Sequence, residues 1–203
     1  QMVDVAMLDC LVATLENAVA RYETSGVAPG PIGNDHPSIC PFATFESADG
    51  FINIAAGNDV LWARLCEVLG IPETAADPRF LTNRDRIENW LALKAILNAQ
   101  TQGKTTAQWM EALMAVQVPC GPINTIDKVV SDPQVLAREM IVPVAHPVAG
   151  ELKMPGVPIK FSETPASIAG PAPLLGEHVG AIYGGLLGMS EEEIRKLREE
   201  GAI

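Results

Sequence analysis

The sequence is poor in the side chains that most often hold metals or carry redox chemistry. Its 203 residues include three histidines and four cysteines, and aromatic residues make up 5%. These residues stand apart from one another along the chain: His36, His146 and His178; Cys10, Cys40, Cys66 and Cys120. Because there is no C-x-x-C pair and no cluster of His and Cys ligands, the sequence predicts neither a metal site nor a disulfide framework. We therefore expect reduced thiols in a cytoplasmic protein that holds no metal ion.

Basic residues and long apolar runs are also scarce. The chain has 14 Lys and Arg residues against 25 Asp and Glu residues, which gives a formal net charge of −11. A charge of this sign argues against nucleic acid or an anionic membrane as the main partner. The longest nearly apolar run, Val179–Met189, is shorter than the roughly 20 residues needed to span a bilayer. No cationic signal segment follows Gln1, and the lack of an initiator Met leads us to expect that the chain begins within a longer protein.

Common catalytic motifs are missing as well. The chain has no G-x-S-x-G elbow, no P-loop and no glycine fingerprint of a dinucleotide-binding fold. Acidic residues are plentiful, but no spacing singles out an acid–base pair. With 48% hydrophobic residues the chain can bury a core, and its length predicts one domain or two small ones. Composition alone therefore indicates only a folded α/β protein.

The amino-terminal segment predicts one strand and one helix. Residues 2–8 form an apolar run that contains two valines, which is typical of a buried strand. Asp9 is predicted to cap the helix that follows, and Gly26 stands where a left-handed residue would end it.

Glycine and proline prevent regular structure over most of residues 26–41. Within this segment, Gly33-Asn34-Asp35-His36-Pro37-Ser38 places an amide, an imidazole and a hydroxyl on a constrained backbone. Loops carry function more often than the elements they join, and small residues let a backbone approach an anionic ligand closely. On these residues alone, two interpretations stay open: a linker between domains and a ligand-binding loop.

Residues 42–118 predict a compact α+β unit. Phe42–Glu46 and Phe51–Ala56 are expected to form a hairpin that turns at Asp49-Gly50. Three main helices should follow, and their predicted N-caps are Asn58 or Asp59, Thr82 or Asn83, and Thr105.

The remaining residues predict shorter elements. Val118–Pro122 reads as a rigid connector, and 141–161 as short edge strands with an extended segment. Helices are expected at these positions: near Thr125, from Asp132-Pro133, over 176–187, and after Ser190, which opens a capping box with Glu193.

Six short segments occur in an order and with gaps that resemble one known family. They are Gln1–Asp9 (QMVDVAMLD), Gly33–Pro37 (GNDHP), Thr44–Asp59 (TFESADGFINIAAGND), Asp77–Phe80 (DPRF), Val118–Ile123 (VPCGPI) and Leu174–His178 (LLGEH). A single segment such as DPRF is a weak signal, but six in order across the whole chain are specific. The chain therefore resembles the class III, or CaiB/BaiF-type, coenzyme A-transferases.

This resemblance implies an α/β fold in which part of a Rossmann-like large domain is joined to a smaller α+β domain. Residues 1–25 would supply a strand and a helix of the large domain, and 26–41 a linker or active-site loop. Residues 42–118 would form the small domain, and 119–203 a linker and the return segment to the large domain. Members of the family form interlocked homodimers, so we expect one in the full-length protein.

The implied chemistry is the transfer of CoA from an acyl-CoA to a carboxylic acid. In such enzymes an aspartate carboxylate attacks the thioester, and the reaction passes through anhydride and aspartyl-CoA thioester intermediates. That aspartate belongs to the amino-terminal half of the family pattern, before the segment that resembles Gln1–Asp9. We therefore expect this chain to be the carboxy-terminal half, with no catalytic nucleophile among its residues and coenzyme A thioesters as substrates rather than cofactors.

The resemblance also implies substrate-binding residues. Met7 matches a strand position whose side chain reaches towards the acyl site. Gly33, Asn34, His36 and Pro37 match a mobile loop that closes over the intermediates and that is a run of glycines in some members of the family. This sequence departs from that run with Asn34, Asp35 and His36. The departure is compatible with loop closure, but the substrate specificity of those members does not carry over.

Two alternatives stay open. The 2-methylacyl-CoA racemase branch of the same family tends to carry a glutamate after the strand matching Phe51–Ala56, where this chain has Gly57-Asn58-Asp59. Together with the Gly33–Pro37 segment, that difference favours a transferase. The second alternative is a catalytically inert, truncated fragment that acts only in folding or dimerisation.

Overall fold

The computed structural model describes residues 2–203, which form two compact units divided after Ile123. Elements of the first unit are α1 (Met7–Ala13), α2 (Glu16–Ser25), β1 (Phe42–Ser47), β2 (Gly50–Ala55), α3 (Asp59–Leu69), α4 (Pro72–Ala75), α5 (Asn83–Glu88), α6 (Trp90–Thr101), α7 (Thr106–Ala115) and β3 (Cys120–Pro122). Elements of the second are α8 (Ile126–Val129), α9 (Pro133–Ala137), β4 (Ile141–His146), β5 (Gly150–Pro155), a π-helical segment (Gly180–Leu186) and α10 (Glu191–Glu199). Within residues 2–203, no helix combines the length and the apolar character that crossing a bilayer requires.

The strand predicted over residues 2–8 is wrong. Residues 2–6 adopt no regular structure, and α1 begins at Met7 with Ala6 as its N-cap, so Asp9 lies in the first turn instead of capping it. A strand needs a hydrogen-bonding neighbour, and this run pairs with none among the described residues. The prediction for Gly26 is confirmed, because it ends α2 in the left-handed conformation at φ 68°.

Three antiparallel strands form the sheet of the first unit in the order β1-β2-β3. The predicted hairpin is confirmed, with Phe45 opposite Ile52 and Ser47 opposite Gly50. The predicted connector is wrong in part, because Cys120–Pro122 pairs with β2 as a third strand. The pairing depends on a neighbour about 70 residues away in sequence, which local turn signals do not reveal.

The three main helices expected after the hairpin begin where the sequence predicts. Asn58 Oδ1 accepts the Leu61 N–H at 2.8 Å, and Thr82 and Thr105 each open a full capping box. The long helix expected after Thr82 is divided into α5 and α6 at Asn89. The side chain of Asn89 donates to the carbonyls of Arg79 and Asp85, which stabilises this break.

The hydrophobic core lies in the first unit, where α3, α6 and α7 pack around the sheet. Its buried members are Cys40, Ala43, Phe45, Ile52, Ile54, Ala56, Trp62, Leu65, Cys66, Leu69, Ile71, Phe80, Leu93, Leu97, Trp109, Leu113 and Val118. The core therefore runs from Cys40 to Val118, while the apolar residues of α1 and α2, such as Leu11 and Val19, stay exposed.

One charged side chain is part of this core. Arg86 is fully buried and donates to the carbonyl oxygens of Cys40, Phe80 and Leu81, at 2.7, 3.1 and 3.1 Å. It also donates to Asp59 Oδ1 at 2.9 Å. Because a buried guanidinium is tolerated only when its donors are satisfied, Arg86 fastens the segment before β1 to the segment before α5.

In the second unit, the predictions of short helices and edge strands are confirmed. The carboxylate of Asp132 accepts the N–H groups of Gln134 and Val135 at the start of α9, and β4 and β5 form an antiparallel hairpin. The helix expected over 176–187 is π-helical from Gly180 to Leu186. The chain is thus mixed α/β, and both sheets that residues 2–203 form are antiparallel, so the parallel sheet of a Rossmann-like domain is not among them.

Candidate functional site

The Gly33–Pro37 loop, which belongs to the first unit, begins with a tight turn. The Asp35 N–H points to the carbonyl of Ile32 at 3.4 Å, and Gly33 occupies the turn at φ 65°. A residue with a side chain is strained in this left-handed conformation. Gly33 is therefore required by the turn, which places Asn34 at its exposed tip.

Asp35 joins this loop to helix α6. One carboxylate oxygen accepts from Trp90 Nε1 at 2.8 Å, and the other accepts from Lys94 Nζ at 2.8 Å. Trp90 and Lys94 are four residues apart and share one face of the helix, and the ammonium also lies 5.5 Å from the indole ring centre. The loop is thus held at one point by two donors from a single helix.

His36 is fixed by its own backbone and by its ring. Its N–H donates to the carbonyl of Phe42 at 2.9 Å, and the two rings stack with centroids 5.1 Å apart. Nδ1 accepts the N–H groups of Ser38 and Ile39 at 3.2 and 3.0 Å. Because Nδ1 acts as an acceptor, these bonds assign the proton of the neutral imidazole to Nε2.

The residues that follow the loop are clamped by α5. Asn83 accepts the Cys40 N–H at 2.8 Å and donates to the Ser38 carbonyl at 2.9 Å, while Arg86 donates to the Cys40 carbonyl. Burial raises the pKa of the Cys40 thiol to about 12, so this cysteine is a packing residue and not a nucleophile. The chain is therefore held rigidly at the carboxyl end of the loop.

Two cavities border the loop. The first, of about 190 Å³, is mainly apolar and is lined by Ile32, Asp35, His36, Pro37, Ile39, Cys40, Phe42, Ile87 and Trp90. The second, of about 320 Å³, has a more polar lining of Ile32, Gly33, Asn34, Asp35, Thr44, Glu46, Phe51, Lys94 and Asn98. Ile32 and Asp35 line both cavities, so this part of the loop is the wall between them.

Four of the five predicted site residues, all within the Gly33–Pro37 loop, border these cavities. Gly33 and Asn34 face the polar cavity, whereas His36 and Pro37 face the apolar one. Met7 lines neither cavity: it begins α1 and is 86% exposed. The strand position assigned to Met7 is therefore wrong, because the segment that contains it is not a strand.

Sequence reasoning missed the side chains that hold the loop. Asp35, Trp90 and Lys94 were not singled out as site residues, although Asp35 lies within the loop that was. A possible signal was the placement of an aromatic donor and a cation four residues apart on one helix, but their partner is 55 to 59 residues away in sequence.

The five carboxylates whose pKa values are shifted, among residues 2–203, are all held by hydrogen bonds or ion pairs within the fold. Hydrogen bonds from nearby N–H and O–H groups lower the pKa values of Asp49, Asp85, Asp127 and Glu193, and the Arg79 side chain lowers that of Asp77. None of these five lines either cavity beside the loop. Across residues 2–203, no group of three or more His, Cys, Asp or Glu side chains is placed to hold a metal ion.

Comparison with known proteins then decides the family. The family model described as CoA-transferase family III matches residues 1–179. The chain belongs to CoA-transferase family III.

Curated relatives of this family III chain are named as CoA-transferases. It is 34% identical to the succinyl-CoA:glutarate CoA-transferase of Mus musculus over 201 residues, which is 99% of this chain and 46% of that protein. It is 39% identical to the acetyl-CoA:oxalate CoA-transferase of Acetobacter aceti over 160 residues, 79% of this chain and 40% of that protein. The chain thus spans about half the length of the curated relatives it matches.

A solved structure supports the same family. The crystal structure of a CaiB/BaiF family protein from Brucella suis is similar to this family III chain with a TM-score of 0.77 and 37% identity. The match covers 92% of this chain and 48% of that one. The fold is therefore similar to one seen by crystallography in the family.

Proposed function

We propose that the protein containing this chain moves CoA from an acyl-CoA to a carboxylic acid, and that the Gly33–Pro37 loop with its two cavities forms part of the substrate site. Family membership and the names of the relatives support the reaction class. The observation that carries the site is that this loop borders two adjoining cavities, one mainly apolar and one more polar. An apolar and a polar cavity side by side suit a substrate that is partly hydrocarbon and partly carboxylate.

The proposed reaction uses an aspartate as nucleophile. Its carboxylate attacks the thioester carbonyl and expels the CoA thiolate, which forms a mixed anhydride. The thiolate then attacks the aspartyl carbonyl and releases the donor acid, leaving an aspartyl-CoA thioester. The acceptor carboxylate attacks that thioester, and the freed thiolate takes the new acyl group and restores the aspartate.

We place this aspartate outside residues 1–203. Asp35 is the aspartate beside the cavities, and its two oxygens already accept from Trp90 and Lys94. A carboxylate held by two donors is a poor nucleophile because attack requires giving up those bonds. The chain would instead supply substrate-binding walls and a loop that excludes water from the reactive anhydride.

The wider setting of the enzyme is part of the same proposal. We propose a cytoplasmic, interlocked homodimer that needs no metal or redox cofactor, in which residues 42–118 form the small domain and 1–25 belong with 119–203 to the large one. The continuous core from Cys40 to Val118 supports the small domain.

A racemase is less well supported. That branch tends to have a glutamate after the strand equivalent to β2, where this chain has Gly57, Asn58 and Asp59. Asn58 caps α3, Asp59 binds Arg86, and Ile39 Cγ2 occupies the place that a Cβ at Gly57 would take. None of the three positions therefore offers a free carboxylate.

The reaction can be tested on the complete gene product that contains this chain. We expect it to transfer CoA from succinyl-CoA to at least one acid in a panel of mono- and dicarboxylates, and hydroxylamine to trap an acyl-enzyme that mass spectrometry places outside residues 1–203. A trapped group within residues 1–203, or turnover by the 203-residue chain alone, would show that the nucleophile has been misplaced. Exchange of the α-proton of a 2-methylacyl-CoA in deuterated water, without transfer, would identify a racemase.

The loop can be tested in the same assay. Asn34→Ala and His36→Ala should each lower kcat/KM by about tenfold, which corresponds to the loss of one hydrogen bond worth about 1.4 kcal/mol. Asn124→Ala, which removes an exposed amide at the start of the second unit, is the matched control and should leave it unchanged. If kcat/KM is the same in all three variants, the loop is only a linker.

A further inference from the structure

We propose that Asp35 is a positioning residue that latches the Gly33–Pro37 loop to helix α6, and that the latch keeps water from the reacting carbonyl. This inference rests on the proposed function, because it assigns a task in CoA transfer to a contact outside the reacting atoms. It concerns the conformation of the loop, which can be measured independently of turnover.

The loop is held firmly on one side of Asn34 and hardly at all on the other. Downstream, His36 is fixed by three hydrogen bonds and by stacking on Phe42. Upstream, residues 27–32 have no regular structure. At the tip, the Asn34 side chain has no hydrogen-bond partner among residues 2–203 and is exposed. The Asp35 carboxylate is therefore the side-chain anchor nearest to the tip.

This anchor is stronger than an ordinary surface ion pair. The side chains of Asp35 and Lys94 are 23% and 32% exposed, and the Trp90 N–H adds a neutral donor to the same carboxylate. Partial burial reduces screening by solvent, and charge-assisted bonds at 2.8 Å are among the stronger hydrogen bonds in proteins. By contrast, the pair between Arg84 and Glu88 on α5 is 85% and 57% exposed and should contribute little.

The latch also determines the shape of the site. Ile32 and Asp35 form the wall between the apolar and the polar cavity. If the carboxylate separates from α6, this wall loses its side-chain anchor, and the two cavities, which are already partly open to solvent, can join and admit more water. Water can then attack the anhydride or the aspartyl thioester, which ends in free acid and free CoA thiol instead of a new acyl-CoA.

Breaking this contact should change how much CoA is released as free thiol and how much is transferred to the acceptor acid. In the complete gene product, Asp35→Asn and Lys94→Met should each raise the ratio of hydrolysis to transfer, by about tenfold if one charge-assisted hydrogen bond is lost, because the loop then shields the intermediates less well from water. Free thiol and new acyl-CoA are measured in the same reaction. Lys94→Arg should restore most of the wild-type ratio, and the double variant Asp35→Asn/Lys94→Met should be no worse than either single variant, because both break one contact.

Trp90 supplies a readout that does not need activity. After incorporation of 5-fluorotryptophan, the ¹⁹F resonance of Trp90 can be assigned by its loss in Trp90→Phe. Asp35→Asn should shift or broaden this resonance, since its indole N–H loses a charged acceptor. Arg84→Met, the matched control, removes the exposed ion pair on α5 and should change neither the resonance nor the ratio.

The outcomes separate this inference from the proposed function. If the wild-type enzyme transfers no CoA, the proposed function fails, and the ¹⁹F experiment alone then decides whether the latch exists. An unchanged Trp90 resonance in Asp35→Asn overturns the latch. A shifted resonance with an unchanged ratio of hydrolysis to transfer overturns its role in excluding water.

Discussion

The segment from Cys40 to Val118 and the unit from Asn124 to Ile203 differ in how they bury apolar side chains. All buried hydrophobic residues among residues 2–203 lie in the first of these, with the single exception of Ile194 in α10. The second unit leaves large side chains such as Leu175, Leu186 and Val148 exposed.

The two regions also differ in the secondary-structure elements that they form. In the first segment, helices of 10 to 12 residues pack on a three-stranded sheet, which is enough to cover an apolar face. In the second unit, α8 and α9 have 4 and 5 residues, and the sheet is a single hairpin. Secondary structure that forms locally is therefore not sufficient to build a core.

The largest expected effect tests the charged side chain inside the core. Arg86→Met should lower the free energy of unfolding by about 3–5 kcal/mol, because it leaves the carbonyls that Arg86 serves buried without donors. Arg84→Met, on the same helix but exposed, should cost at most about 0.5 kcal/mol. Urea unfolding followed by tryptophan fluorescence measures both, since all three tryptophans of the 203-residue chain lie between Cys40 and Val118. Equal losses would contradict the role assigned to Arg86.

The next effect compares two leucines. Leu65 is fully buried and Leu186 is 76% exposed. Leu65→Ala should destabilise the first segment by about 3 kcal/mol, the sum of lost burial and a cavity, and Leu186→Ala should change the same fluorescence transition by less than about 0.5 kcal/mol. The contrast between the regions is wrong if Leu186→Ala is the more damaging change.

A smaller effect is expected from the helix caps. Thr105 opens α7 with a capping box, and Ser190 opens α10 in the same way. Thr105→Ala should lower the free energy of unfolding seen by tryptophan fluorescence by about 1 kcal/mol. Ser190→Ala should leave that transition in place, because α10 contains no tryptophan and lies in the other unit. A shared shift would mean that the two units unfold as one.

The smallest effect depends on pH. The Thr106 N–H donates to the Asp49 carboxylate at 2.7 Å and lowers its pKa below 3.8. The stabilisation is therefore present above the unfolded pKa of 3.8 and is lost as the pH falls through the lower folded value. Asp49→Asn should lower the urea midpoint slightly at pH 7. Near pH 2 the urea midpoints of the variant and the wild type should become equal.

The control for this pH dependence is Glu193→Gln. Ser190 lowers the pKa of Glu193 in the second unit, so its titration should not alter the tryptophan signal. If the difference between the urea midpoints of Asp49→Asn and the wild type stays constant down to pH 2, the ionisation of Asp49 does not stabilise the hairpin turn.

Features that depend on neighbours in sequence could be predicted. The caps at Asn58, Thr105 and Ser190 are confirmed because side chain and backbone partner lie three residues apart. The β1-β2 hairpin is confirmed for the same reason, since its turn and its alternation are both local.

Features that depend on residues far apart in sequence could not be predicted. The run at 2–8 has the composition of a strand, but only a paired neighbour makes it one. Cys120–Pro122 has a connector's composition and becomes a strand because β2 has a free edge. In the site, the loop was visible from its Gly, Asn, His and Pro residues, whereas its attachment through Asp35 to Lys94 joins positions 59 apart.

The close approach of Ile39 to Gly57 has a consequence for how this chain can evolve. Ile39 belongs to the apolar cavity, and its Cγ2 stands where any side chain at position 57 would begin. A side chain at position 57 therefore requires Ile39 to move, and the cavity that Ile39 lines is the space into which it can turn. Any larger residue at 57 would thus reshape the lining of the apolar cavity, although position 57 is not itself part of that lining.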